Sequence, residues 1–191
     1  MLYGLLGPVE VRSSPADPPA ELGSPLQRVL LGLLLTERDR SVSLDRIVDE
    51  LWGDAPPADP EGSVHTYVSR LRRVLEPERG SGQAPRTLLR TPAGYRLAVP
   101  AEDVDAERFA ALAARASDRL GDGDAAAALA AADEALALWR SPVALEDAGE
   151  REFAVHARTR GWRCGAARSR SRTPVTVSSP STRAPAWTRC G

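Results

Sequence analysis

Between residues 60 and 75 the chain reads Pro-Glu-Gly-Ser-Val-His-Thr-Tyr-Val-Ser-Arg-Leu-Arg-Arg-Val-Leu, so Arg70, Arg72 and Arg73 crowd together just after Thr66 and Ser69. The arginine guanidinium presents a rigid fork of N–H donors that fits a phosphate or the outer edge of guanine. A threonine methyl fits the methyl of thymine, and a serine or threonine hydroxyl adds a short hydrogen bond. The chemistry on offer is recognition of a polyanion, not the making or breaking of bonds. An ordinary core helix with a solvated charged face carries the same residue types. The neighbouring elements decide between the two readings.

Val64, Val68, Leu71 and Leu75 recur at i, i+4, i+7 and i+11, which predicts one apolar stripe of a helix. Thr66, Ser69, Arg70 and Arg73 then fall on the opposite side. Asp59 can cap this helix, Pro60 suits its first turn, and Glu76-Pro77 ends it. Two further helices precede it. Ser24-Pro25-Leu26-Gln27 is a start signal with a capping box, followed by the stripe Leu26, Val29, Leu30, Leu33 and Leu34. Ser43 caps the second, with Leu44, Ile47, Val48 and Leu51 inward before Trp52-Gly53. Met1–Val11 reads as short strands, with a turn over residues 13–19. After the third helix, residues 86–90 and 95–99 read as two strands about Thr91-Pro92-Ala93-Gly94.

Three helices, the last one basic, followed by a hairpin describe a winged helix. Ser24–Leu35, Val42–Gly53 with Leu51-Trp52-Gly53, the run Val68-Ser69-Arg70-Leu71-Arg72-Arg73 and Gly94-Tyr95-Arg96-Leu97 resemble the OmpR/PhoB-type DNA-binding domain. Together with Leu5-Leu6-Gly7-Pro8-Val9-Glu10-Val11, the chain from about Leu2 to Arg158 resembles the SARP family of bacterial antibiotic regulatory proteins. The resemblance implies double-stranded DNA as partner, with helix 60–75 in the major groove and hairpin 86–99 at the minor groove. By its matching position Arg70 reads a base. Thr66 meets a thymine methyl, and Ser69 shares that face. Arg72 and Arg73 clamp phosphates, which positions a protein without reading sequence. Arg90 is the candidate for the minor groove, although the family often carries its arginine where this chain has Thr91. Arg96 supports the strand or a phosphate, and Tyr67 either packs or offers its hydroxyl to a phosphate. His65 is expected at the backbone or in solvent, and Trp52 in the core.

The same resemblance makes residues 101–159 part of a bacterial transcriptional activation domain of tetratricopeptide-like helix pairs. The residues agree. Asp105 can cap a helix with Phe109, Leu112, Ala113, Ala116 and Leu120 on one face. Asp124 can cap another with Ala128, Leu129, Ala132, Leu136 and Trp139 inward. One such pair buries little by itself. Beyond residue 159 neither helical nor strand periodicity is visible: residues 160–191 contain no acid, and mix Arg, Ser, Thr and Pro. A disordered segment is expected there, either through a frame change near Gly161 that cuts the activation domain short or as a basic tail that touches DNA. The fold expected overall is an α+β winged helix-turn-helix at 1–99, an all-α tetratricopeptide-like segment at 101–159 and a disordered tail at 160–191. Residues 1–100 are expected to fold without the rest.

The net charge of −1 conceals a strong asymmetry. Residues 1–99 carry 12 Arg and 13 acids, residues 100–152 carry 5 and 13, and residues 153–191 carry 8 Arg and no acid. There is no lysine, a usage that fits a GC-rich genome. No apolar run approaches the ~20 residues of a membrane span, and the N-terminus lacks a signal-peptide pattern, so a cytoplasmic, nucleoid-associated protein is expected. His65 and His156 lie far apart, Cys164 and Cys190 have no metal-ligand spacing, and no glycine-rich phosphate loop occurs. No enzyme activity, cofactor or metal is expected. Two functions remain. The first is what the resemblance implies: a DNA-binding activator of secondary-metabolite genes that binds promoter direct repeats, with RNA polymerase as a further partner and a homodimer on DNA. Alternatively, the winged helix is a docking scaffold for another protein, a reading that the near-neutral charge of residues 1–99 keeps open, although a focused arginine face can bind DNA while acids elsewhere cancel the total.

Overall fold

Ser41-Val42-Ser43 alternates polar and apolar over too few residues to announce a strand, yet it completes the sheet around which the first half of the chain is arranged. The computed structural model describes residues 1–80 and 82–160. In it β1 (Leu2–Gly4) and β2 (Glu10–Arg12) pair antiparallel. A second sheet joins β3 (Ser41–Ser43), β4 (Leu88–Thr91) and β5 (Gly94–Leu97) in the order β3-β5-β4. Both pairings are antiparallel, with Val42 opposite Tyr95 and Arg90 opposite Tyr95 from the other side. The hairpin is tighter than residues 86–99 suggested: Thr91 pairs with Gly94 across a two-residue turn. Gly94 is required where β3 crosses it, because a Cβ there would lie 2.1 Å from the Val42 carbonyl oxygen.

Helix α1 (Pro25–Thr36) begins as its sequence predicts, with the Gln27 side-chain oxygen accepting from the Ser24 backbone N–H at 3.2 Å. Helix α2 (Leu44–Trp52) is capped by Ser43, whose hydroxyl accepts from the Arg46 N–H at 3.2 Å. Ile47 and Leu51 are fully buried, and Leu44 and Val48 only partly. Helix α3 (Pro60–Leu75) is capped by Asp59, which accepts from the Gly62 N–H at 2.9 Å. Its stripe Val64, Val68, Leu71 and Leu75 is buried throughout.

The second half is α4 (Asp105–Gly121), α5 (Ala125–Leu136) and α6 (Glu152–Arg160), with 3-10 turns at Ala101–Asp103 and Glu146–Ala148. Helices α4 and α5 pack along each other as a pair. This is an α+β winged helix followed by a helical segment. The interior faces of the pair differ from expectation. Ala128, Ala131 and Ala135 make the buried side of α5, while Leu120, Leu129 and Leu136 are 65%, 64% and 57% exposed. Small alanines let the helices approach closely, and the larger leucines are left on the outer side. Trp139 lies past the end of α5 and meets Phe109 edge to face, ring centroids 5.7 Å apart. Of the expected tail 160–191, everything past Arg160 lies outside the described residues.

Asp105 does not cap α4, whose N-cap is Val104. Its carboxylate accepts instead from the Leu5 and Leu6 N–H groups at 2.7 and 3.1 Å, and pairs with Arg140 at 3.0 Å. Burial pushes the Asp105 carboxyl above its ordinary range, against the pull of those N–H groups and of Arg140. Asp147 makes similar hydrogen bonds on the other side, accepting from the Val9 N–H and from Arg28, at 2.7 and 2.8 Å. The loop between β1 and β2 is thus held by residues 105 and 140–147. Leu145 is fully buried although its φ is 52°, a left-handed conformation that costs a non-glycine residue about 1–2 kcal/mol. It packs over Gly32 of α1, where a Cβ would stand 2.9 Å from the Leu145 Cδ2. Phe153 and Ala154 of α6 are buried in the same cluster as Leu30, Leu33 and Leu34. One continuous core runs through both halves.

Candidate nucleic-acid interface

Helix α3 presents Thr66, Ser69, Arg70 and Arg73 on its exposed side, in the order the periodicity predicted. The Thr66 hydroxyl donates to the Gly62 carbonyl at 2.9 Å, so its proton is committed to the helix. Among the described residues, Arg70 and Arg73 have neither an ion-pair nor a hydrogen-bond partner. Arg73 sits in the last turn, where a cation also complements the negative end of the helix dipole.

The wing is joined to α3 at three levels. At the base, Glu76 accepts from the backbone N–H groups of Arg86, at 2.7 Å, and of Thr87. Burial opposes ionisation of Glu76, yet those two N–H groups prevail and its carboxyl lies below the usual carboxylate range. Midway, the Arg72 Nε donates to the Leu88 carbonyl at 2.9 Å, and burial lowers the Arg72 guanidinium from its ordinary value. Arg72 therefore differs from Arg73: it is half-buried and ties the helix to β4. Further out, Arg90 Nη1 donates to His65 Nε2 at 3.1 Å. His65 is half-buried, with its ring edge-on to Tyr95 at 6.2 Å; of the two places the sequence left open for it, the backbone or solvent, open solvent is not where it lies.

Thr91 is also occupied within the wing. Its hydroxyl accepts from the Gly94 N–H at 3.1 Å and pairs with the Ser41 hydroxyl at 2.5 Å, fixing the turn. Tyr67 packs: its ring stacks on Trp52 with centroids 6.2 Å apart. The structure brings Thr66, Ser69, Arg70 and Arg73 together on one surface and Arg90 beside it, and turns Arg72 and Thr91 toward the framework. Sequence reasoning missed Glu76, His65 as a partner of Arg90, and β3. Glu76 left no local signal, because its partners lie ten and eleven residues on.

The charge pattern separates this surface from the rest. Among the described residues, Arg12, Arg28, Arg38, Arg40, Arg46 and Arg79 each have a carboxylate within 4.0 Å. Arg70, Arg72, Arg73, Arg86, Arg90 and Arg96, the other six arginines of residues 1–99, have none, and all belong to α3 or the wing. The near-zero sum over residues 1–99 thus conceals that the arginines without a carboxylate partner gather in α3 and the wing. Among the described residues no three His, Cys, Asp or Glu side chains gather as a metal-binding group. No helix among them is long and apolar enough to cross a membrane.

Residues 21–97 match the family model "Transcriptional regulatory protein, C terminal", and residues 104–174 match "Bacterial transcriptional activator domain". The transcriptional regulatory protein EmbR of Mycobacterium tuberculosis is 36% identical over 152 residues, which is 79% of this chain and 38% of EmbR. The transcriptional regulator RedD of Streptomyces coelicolor is 35% identical over 150 residues, 76% of this chain and 41% of RedD. The solved structure of Mycobacterium tuberculosis EmbR in complex with a low affinity phosphopeptide superposes with a TM-score of 0.72 at 34% identity, covering 83% of this chain and 40% of that one. The chain spans about two fifths of the length of these relatives.

Proposed function

The chain belongs to the SARP family of bacterial transcriptional regulators, which are not enzymes, and on that footing we propose that it binds double-stranded DNA by sequence. Helix α3 enters the major groove, where Arg70 reads a base, Thr66 and Ser69 complete the reading face, and Arg73 holds a phosphate. The wing lies along the backbone with Arg90 at the adjacent minor groove. Arg72 and Thr91 act on the DNA through the framework they hold together.

One observation carries this reading: among the described arginines of residues 1–99, those without a carboxylate partner all belong to α3 and the wing. A polyanion binding there meets guanidinium groups that no carboxylate of the described residues pairs with. The same observation weighs against the docking-scaffold alternative, which the near-neutral charge of residues 1–99 kept open.

In the cell the chain regulates secondary-metabolite genes from promoter direct repeats, as a homodimer on DNA, with the helical segment facing RNA polymerase in the nucleoid. Selection of bound duplexes from a random library by the whole chain tests the reading. Enrichment of one repeated half-site is expected. Retention without enrichment would leave only non-specific binding, and no retention would favour the scaffold.

A further inference from the structure

Arginine has no hydrogen-bond acceptor, so in the pair His65–Arg90 the histidine Nε2 must accept. The ring is then neutral and carries its proton on Nδ1. His65 and Arg72 are seven residues apart on α3, hence on one stripe, and their partners, the Arg90 side chain and the Leu88 carbonyl, are two residues apart on β4. The wing is therefore fixed on the helix at two points along a line, with Glu76 holding its base. The Arg72 and Glu76 ties engage the wing backbone. The His65 tie alone engages a side chain proposed to meet DNA.

We propose that His65 is a positioning residue: it holds Arg90 on the flank of α3 and so sets, before DNA arrives, the spacing between the major-groove face and the wing contact. Arg90 is otherwise an exposed, long side chain on a strand near a turn. Ordering such a chain only on binding carries an entropic cost, which a preformed hydrogen bond removes from the binding step. One of the guanidinium's nitrogens is committed to His65, and the others remain to meet phosphate or base. Tyr95, edge-on to the ring and paired with Arg90 across the strands, fixes the imidazole from below. The inference rests on the DNA-binding reading of α3 and the wing.

The test is a double-variant cycle on the whole chain, using the duplex that the wild type enriches most from a random 30-base-pair library. His65→Ala is expected to weaken binding roughly 3- to 10-fold, the range of one lost hydrogen bond. In the Arg90→Ala background the same change should cost less than about 2-fold, because the arginine it positions is gone. His65→Gln, whose amide reaches the place of Nε2, should restore most of the affinity. A nitrogen-15 spectrum of the ring supplies a readout without DNA: the wild type shows the Nδ1–H tautomer, and Arg90→Ala shifts it. Equal losses in both backgrounds, a glutamine variant as weak as the alanine one, or an unchanged tautomer would each overturn the proposal. If no duplex is enriched while the tautomer shift appears, the DNA-binding reading has failed and the His65–Arg90 contact stands as packing only.

Discussion

Arg70 and Arg73 differ from Arg72 by one physical fact: the Arg72 Nε is hydrogen-bonded to the Leu88 carbonyl, whereas the other two guanidinia face solvent without partners among the described residues. Arg70→Ala is expected to weaken binding to the preferred site by ~1–3 kcal/mol and to leave binding to unrelated duplex nearly unchanged. Arg73→Ala should weaken both to the same degree. Competition gel shifts with specific and unrelated duplexes separate these outcomes; an equal loss for Arg70→Ala would make it a phosphate contact. The positions of these side chains were legible in the sequence because helical periodicity assigns a face to every residue. The commitments of Arg72, Thr91 and His65 were not, because each is a bond to a residue 16, 50 or 25 positions away. A one-dimensional pattern places a residue on a face and leaves open what lies opposite.

At the scale of elements, the junction between α3 and the wing depends on Glu76, which holds two backbone N–H groups of the wing base. Its folded-state carboxyl titrates below the ordinary value of 4.5, so across that window the unfolded chain binds more protons. The contribution of Glu76 to stability is therefore complete above about pH 4.5 and is lost as pH falls through the lower folded value. Glu76→Gln should flatten that part of the stability–pH profile, measured by urea unfolding between pH 3 and 7. An unchanged acid limb would mean the Glu76 bonds contribute nothing. The helix pair offers a second check. Leu129→Gln on the exposed side of α5 should change stability by less than about 0.5 kcal/mol, whereas Phe109→Ala should cost ~3–5 kcal/mol. The sequence pattern had put Leu129, Leu136 and Leu120 inward, since leucine ordinarily outranks alanine as a core residue. Here Ala128, Ala131 and Ala135 take the interface because small side chains permit closer helix approach.

The whole molecule is more tightly joined than its two-part sequence suggests. Capping signals made α1, α2 and α3 legible, but nothing local tells that Leu145, Ala148, Phe153 and Ala154 complete the core beneath α1, or that Asp105 and Asp147 bind the β1–β2 loop. Burying Leu145 and Phe153 is worth roughly 1.5–3 kcal/mol each. A fragment ending at residue 100 is therefore expected to melt at least ~10 °C below the whole chain, where the sequence alone predicted an independent unit; equal melting temperatures would show that the halves fold separately. The central claim is that the arginine-bearing side of α3 and the wing binds DNA. Its most direct measurement is the salt dependence of duplex binding by the whole chain and by Arg73→Ala and Arg40→Ala, the latter arginine being exposed but paired with Glu37. The account predicts that log affinity falls linearly with log salt, that Arg73→Ala reduces the slope by about one, and that Arg40→Ala leaves it unchanged. Binding insensitive to salt, or equal slopes for the wild type and Arg73→Ala, would contradict it.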